Sequence, residues 1–236
     1  RNSDIINWNN ASNKNLVNYS ILTKGFHFFK YILINIYAGF YSDGFIFGEY
    51  YKSKPFKILF SNTPFVNTTY YPKLNLFKAE EPSLNTNKIR LSYSGKISIE
   101  KGFVNFLNVL NQLLEINKDL EIELKIIGWY YQKDKKIIQN LVHHIKKNID
   151  IVFYDKQSLK EYINLIKDTD IFMDLRKVDF ENTHCLPIKI FYYMALERPV
   201  IYSNLKAIRK EVEISEFGYL VNPKNSNNIA KIIIKY

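Results

Sequence analysis

Residues 89–236 are predicted to form an α/β fold, a parallel sheet flanked by helices. Three observations predict it. Short apolar strands alternate with amphipathic helices at the spacing of βαβ units. Two of the early strands run straight into a glycine, Gly95 and Gly128. Hydrophobic residues make up 47% of the chain and charged residues 24%, enough for a core and an ordinary polar surface. A length of 236 residues suits one large domain, or one complete domain with part of another.

Each element follows from its pattern. Ile89–Ser94 alternates as a strand. Phe103–Leu114 is a helix, with apolar side chains at Phe103, Phe106, Leu107, Leu110, Leu113 and Leu114. Leu120–Ile127 reads as a strand, Lys135–Ile145 as a helix and Ile151–Tyr154 as a strand. Leu159–Ile166 is helical and Asp170–Asp174 extended. Pro187–Leu196 is a helix, with Pro187 suited to its first turn. Pro199–Tyr202, a helix over Leu205–Val212, Gly218–Val221 and a helix over Asn227–Lys235 complete the series. Ligands of such sheets bind at the carboxyl ends of the strands. The loops after Ser94, Ile127, Tyr154, Asp174 and Tyr202 are therefore expected to rim one site.

The first 88 residues are less regular. Residues 1–20 are polar and rich in Asn. Residues 26–42 are predicted helical, and the apolar run Tyr31–Tyr41, too short to span a bilayer, reads as a buried helix, with a membrane-facing helix as the alternative. Short strands are expected within Asp43–Gly48 and over Phe56–Phe60. Residues 62–88 carry Pro64, Pro72 and Pro82, which interrupt helix and ladder alike. The expected division is 1–64 as the remnant of one domain, 65–88 as a linker and 89–236 as a second, C-terminal domain.

The net charge of +10 favours anionic partners, although the lysines are spread along the whole chain. No basic-aromatic reader motif points to nucleic acid. Cys185 is the sole cysteine, so no intramolecular disulfide forms. No Cys/His spacing resembles a metal site, and no secretory signal pattern follows the initial Arg.

Two loops carry candidate chemistry. Gly95-Lys96-Ile97-Ser98-Ile99-Glu100-Lys101-Gly102 lies between a strand and a helix. Taken alone it is a glycine turn with two solvated lysines. It also suits a phosphate, because glycine lets backbone approach closely, lysines neutralise charge and a helix N-terminus adds free N–H groups. It is neither a P-loop nor a dinucleotide fingerprint. The second is Glu181-Asn182-Thr183-His184-Cys185-Leu186-Pro187, leading into the helix that holds Tyr192. Asn182 or Thr183 can cap that helix, and His184 can donate to a hydroxyl or a phosphate oxygen. Tyr192, Tyr193 and Met194 read first as core packing.

The stretch Leu186–Ile201 resembles the signature of the group 1 (family 4) glycosyltransferases, roughly Glu-Gly-x-Pro, four residues, then Glu-Ala-Met-Ala-x-Gly-x-Pro-Val-Ile. Gly95-Lys96 with Lys101-Gly102 looks like the family's Gly-Arg and Lys-Gly. Ile126-Ile127-Gly128 is similar to its Val-Gly strand end, and Gly218-Tyr219-Leu220-Val221-Asn222-Pro223 to its Gly-x-Leu-Val-x-Pro. Asp43–Tyr50 looks like the Asp-x-Ile-x-x-x-Ser-Glu strand near the end of its N-terminal domain. Four ordered motifs outweigh the simpler reading of any one loop.

The resemblance implies a GT-B fold, with a Rossmann-like C-terminal domain that binds a nucleotide sugar and part of the acceptor-side domain. It implies a retaining transfer of a hexose to a glycan or lipid-linked acceptor, with no metal and no other cofactor. It implies a cytoplasmic enzyme, with peripheral contact at the inner face of the membrane. Lys96 and Lys101 become the catalytic cations beside the diphosphate. Gly95, Gly128, His184, Cys185, Leu186, Pro187 and Tyr192 become donor-binding positions. Two glutamates of the signature, eight positions apart, are here His184 and Tyr192. A phenol donates one hydrogen bond but cannot accept from two hydroxyls as a carboxylate does. Lys96 replaces Arg and lacks its planar fork. The alternative reading is a non-catalytic module of the same fold that binds a nucleotide or a partner. The chain by itself is expected to be inactive.

Overall fold

The computed structural model describes residues 21–41, 43, 45–47, 62, 64–67, 72–78, 88–145, 149–183 and 186–236. The chain divides into two compact units, Arg1–Thr69 and Tyr70–Tyr236.

In the first unit, helix α1 spans Ile21–Phe40. Strand β1, Phe45–Phe47, pairs in parallel with β2, Phe65–Asn67. The segment 1–20 and the strand expected over Phe56–Phe60 lie outside the described residues. The apolar run Tyr31–Tyr41 is helical to Phe40, but it is not the buried helix expected. Leu33, Ile34, Tyr37, Phe40 and Tyr41 are all at least half exposed. With Leu22, Phe26 and Phe29 they recur every three or four residues, so one open stripe follows from the 3.6-residue period.

The second unit is built on six parallel strands. These are β3 (Lys88–Ile97), β4 (Glu121–Tyr130), β5 (Asp150–Tyr154), β6 (Ile171–Asp174), β7 (Val200–Ser203) and β8 (Gly218–Val221). Their order is β5-β4-β3-β6-β7-β8. This is the doubly wound Rossmann-like arrangement, and the order reverses between β3 and β6, where ligands of such sheets bind. The helices are α2 (Phe103–Ile116), α3 (Lys135–Ile145), α4 (Leu159–Ile166), α5 (Phe180–Thr183), α6 (Lys189–Ala195), α7 (Lys206–Glu211) and α8 (Ser226–Ile234).

Strand alternation makes two cores, one on each face. Leu91, Tyr93, Ile126, Met173 and Ile201 face α2, α3 and α8. Ile127, Phe172, Val200 and Tyr202 face α4, α6 and α7. Successive strand side chains point to opposite faces, so neighbours such as Ile126 and Ile127 serve different cores. Phe77, from the stretch 65–88 expected as a linker, is buried in the second core.

Local chemistry sets the element ends. Ser158 accepts from the Glu161 backbone N–H, and the Glu161 carboxylate accepts from the Ser158 N–H, a reciprocal cap for α4. At the start of β6, the Arg90 backbone N–H donates to the Asp170 carboxylate at 2.7 Å, and the Arg90 guanidinium pairs with the same group at 2.8 Å. Asp170 thus clamps the two strands at the reversal instead of opening the strand itself.

Two strands run further than predicted. β3 continues through Gly95 to Ile97, and β4 through Gly128 to Tyr130, with Gly95 opposite Gly128, Lys96 opposite Trp129 and Ile97 opposite Tyr130. The glycines do not end the strands, because the absence of a Cβ at Gly128 lets β4 pass close to the Gly95 carbonyl. The loop before α2 therefore begins at Ser98, not at Gly95.

Candidate functional site

The carboxyl edge of β3, β4 and β6 carries the unit's unusual backbone. Gly95 has φ +112° and Gly128 φ +152°. A Cβ on Gly128 would lie 1.9 Å from the Gly95 carbonyl oxygen, so only glycine fits there. Gly102, φ +80°, is the N-cap of α2, and a Cβ on it would lie 2.0 Å from the carbonyl oxygen of Leu175, just past β6. The first contact brings β4 against β3, and the second brings the start of α2 against the chain that leaves β6.

A buried polar cluster lies beneath that edge. Asp174, the last residue of β6, is bound by Arg176 through both oxygens, Nε to Oδ1 at 2.8 Å and Nη2 to Oδ2 at 2.5 Å. The Tyr202 hydroxyl donates to the same carboxylate at 2.6 Å. Burial by itself pushes the Asp174 carboxyl up. The Arg176 and Lys189 charges, with the bonds from Arg176 and Tyr202, outweigh it and hold the group well below the usual carboxylate range. Ser94 joins the cluster through its hydroxyl, 2.9 Å from that of Tyr162 and 3.3 Å from that of Tyr193. Burial pushes the phenols of Tyr162, Tyr193 and Tyr202 far up, so all three stay protonated.

Lys189, at the start of α6, donates from Nζ to the Ser94 carbonyl at 2.6 Å and stands 3.5 Å from Asp174 Oδ2. Above it opens a cleft of about 170 Å³ whose lining includes Gly95, Gly128, Trp129, Lys156, Tyr162 and Lys189. Its described lining holds two lysines and no carboxylate. A larger hollow of about 420 Å³ lies beside Gly218 and Tyr236. Gly218 opens β8, so that hollow sits at the amino ends of the strands, where this topology places no ligand.

The candidate residues fall as follows. Gly95 and Gly128 are brought together. Lys96 Nζ lies 3.6 Å from the centre of the Tyr131 ring, and Lys101 Nζ is 3.3 Å from Asn182 Oδ1. Pro187 is buried and Leu186 half-buried, and Pro187 precedes α6 by two residues instead of opening it. Its carbonyl still accepts from Ile190 N–H, closing a tighter first turn. The Tyr192 ring stacks on Phe77 at 5.5 Å and lies 6.0 Å from that of Tyr162. His184 and Cys185 lie outside the described residues. Asn182 does not cap α6. It sits in α5, where Asp179 accepts from its backbone N–H at 2.9 Å.

Sequence reasoning passed over Lys189, Asp174 and Arg176. One signal was present: Lys189 and Tyr193 stand at i and i+4, so they share a helix face, and both reach Ser94. Among the described residues, no group of three His, Cys, Asp or Glu side chains could hold a metal ion. None of the described helices is long and apolar enough to cross a membrane.

A sequence profile of the glycosyl transferases group 1 matches residues 76–236, more than half of the chain. The chain belongs to the group 1 glycosyltransferases. Solved structures agree on the fold. The Anabaena protein Alr3699/HepE, in complex with UDP and glucose, superposes with a TM-score of 0.61 at 15% identity, covering 87% of this chain and 56% of that one. Sucrose-phosphate synthase from Thermosynechococcus elongatus gives 0.62 at 15% identity, over 87% and 52%. The C-terminal domain of a group 1 glycosyl transferase, LpcC, from Francisella tularensis gives 0.54 at 20% identity, over 69% and 85%. The chain thus spans little more than half the length of the first two structures. No curated protein sequence matches it. The six-stranded parallel sheet with helices on both faces is the Rossmann-like architecture of GT-B glycosyltransferases.

Proposed function

We propose that this chain forms the donor-binding part of a retaining glycosyltransferase, which moves a hexose from a nucleotide sugar to a glycan or lipid-linked acceptor without a metal ion. One observation carries the reading. In a sheet of this family, the glycine pair Gly95 and Gly128 borders a cleft lined by lysines and by no described carboxylate. During transfer the bond between the anomeric carbon and the diphosphate oxygen breaks with its electron pair leaving on the diphosphate, while the anomeric carbon bonds to an acceptor hydroxyl oxygen whose proton passes to the departing diphosphate. Lys96 and Lys101 offset that growing charge. Removing one such preplaced group typically raises the barrier by about 3–4 kcal/mol.

Calorimetry of the full protein against a panel of nucleoside-diphosphate sugars tests this, beginning with UDP-glucose because Alr3699/HepE was solved with UDP and glucose. Saturable binding of one donor is expected. A panel with no binder overturns the enzyme reading.

The work is proposed to occur in the cytoplasm, at the inner face of the membrane. The open stripe of α1, with Phe26, Phe29, Tyr37 and Phe40 exposed, supports peripheral contact with an anionic bilayer. Co-sedimentation with anionic liposomes at two salt concentrations checks it, and equal recovery in the supernatant with and without vesicles would remove the membrane from the scheme.

A second reading, a non-catalytic nucleotide- or partner-binding module, is favoured by Tyr192. It stands where the signature has a glutamate and stacks on Phe77. The double substitution His184→Glu with Tyr192→Glu separates the two. Loss of donor binding marks a working, divergent site, and a gain from nothing marks a degenerate one.

A further inference from the structure

We propose that Lys189 is a phosphate-binding residue of this site, a cation additional to Lys96 and Lys101, held next to the bare backbone at Gly95. The inference rests on the nucleotide-sugar reading above and names a group that the family signature does not single out.

The argument begins with what Lys189 is bound to. Its firm hydrogen bond, at 2.6 Å, goes to a neutral acceptor, the Ser94 carbonyl. The carboxylate beside it, Asp174, is 3.5 Å away and already engaged by both nitrogens of Arg176 and by Tyr202. Two cations therefore face one carboxylate, and the nearer acid is committed to the other cation. An ammonium has three donors, and the Ser94 carbonyl uses one.

The position then says what the remaining donors face. A Cβ built on Gly95 would lie 3.5 Å from Lys189 Nζ, so the ammonium sits just off the side of β3 that carries no side chain. The Lys189 side chain keeps 25% of its surface open, and it opens into the cleft it shares with Lys156. A partly desolvated ammonium in a cleft whose described lining holds no carboxylate favours an anion, and a low local dielectric strengthens that preference.

A structural clasp between β3 and β6 is the competing role for Lys189, and it makes a different prediction. A clasp supports the whole cleft, so its loss weakens nucleoside and nucleoside diphosphate alike. A phosphate contact acts on the diphosphate only. Among UDP, GDP and ADP, the tightest-binding one and its parent nucleoside are titrated calorimetrically into the full protein and into Lys189→Gln and Lys189→Arg. Glutamine keeps a donor for the Ser94 carbonyl without the charge, and thermal unfolding confirms that each variant is folded. Lys189→Gln is expected to lose at least tenfold in diphosphate affinity while nucleoside affinity stays within twofold, and Lys189→Arg to recover most of the loss. Equal weakening of both ligands, an unchanged diphosphate affinity or an unfolded Lys189→Gln overturns the proposal and leaves the family reading intact. A wild-type protein that binds none of the three diphosphates removes the donor reading and this inference with it.

Discussion

Glu197 occupies a backbone position that normally belongs to glycine. Its φ is +54°, just past the end of α6, where the family signature has Gly. A left-handed conformation crowds the Cβ of any L-residue, whereas glycine adopts it freely at some cost in unfolded-state entropy. Glu197→Gly is therefore expected to stabilise the protein by about 1 kcal/mol, raising the melting temperature by about 2–4 °C for a chain of this size. Differential scanning calorimetry checks it, and a lower melting temperature would show that the Glu197 side chain compensates for its backbone. Asp174 gives the second prediction at this scale. Its folded-state pKa is depressed, so its contribution to stability is present above the ordinary carboxylate value of 3.8 and fades as pH falls below it. Asp174→Asn leaves the buried Arg176 without its ion pair, which typically costs about 3–5 kcal/mol at neutral pH. In urea titrations the gap between variant and wild type should narrow as pH drops below about 4. A gap that stays constant from pH 7 to pH 3 would mean that the carboxylate's charge adds nothing. Beyond the shared helix face of Lys189 and Tyr193, this cluster was not legible in the sequence, because Ser94 meets both across more than ninety residues. Periodicity records which face a side chain occupies, not which partner it finds there.

Strands and helices were legible because their periods are local. The alternation of Ile89–Ser94 and the helical spacing of Phe103–Leu114 reappear in β3 and α2 with ends shifted by a few residues. The two strand ends that differ share one cause. A glycine after an apolar run reads as a turn, yet Gly95 and Gly128 carry β3 and β4 onward, because a positive φ in each strand lets the two backbones pass closely. Only the pairing of the two positions reveals that, and the pairing is long-range. The same pair sets a prediction for the element. Gly128→Ala forces a Cβ to within 1.9 Å of the Gly95 carbonyl, so the last residues of β3 and β4 must separate. A loss of at least about 3 kcal/mol is expected. Amide exchange should accelerate at Lys96, Ile97 and Trp129, while the earlier pairs from Ile89 to Tyr93 stay protected. Protection unchanged at all of these amides would refute the close packing of the edge. α1 was misread for a different reason: a run of aromatic and aliphatic residues implies a covered face, and composition alone does not say what covers it.

At the level of the whole chain, Tyr70–Tyr236 has its own sheet, two cores and both helical layers. It should fold when expressed alone, with one cooperative thermal transition, as befits a single domain of 167 residues. A broad, non-cooperative melt of that segment would show that its stability depends on Arg1–Thr69. The strand order has a further consequence, for the chain as it is made. β3 lies at the centre of the sheet, and both of its neighbours are made after it, at different delays: β4 follows within a few tens of residues, whereas β6 begins only at Ile171. On the ribosome, the half-sheet β3-β4-β5 can therefore assemble while β6 is still being decoded. Until it emerges, the edge of β3 that will receive β6 stands open, with Arg90 waiting for the carboxylate of Asp170. The reversal in strand order that shapes the site thus also marks the moment in synthesis when the nascent chain is most exposed to pairing with the wrong strand.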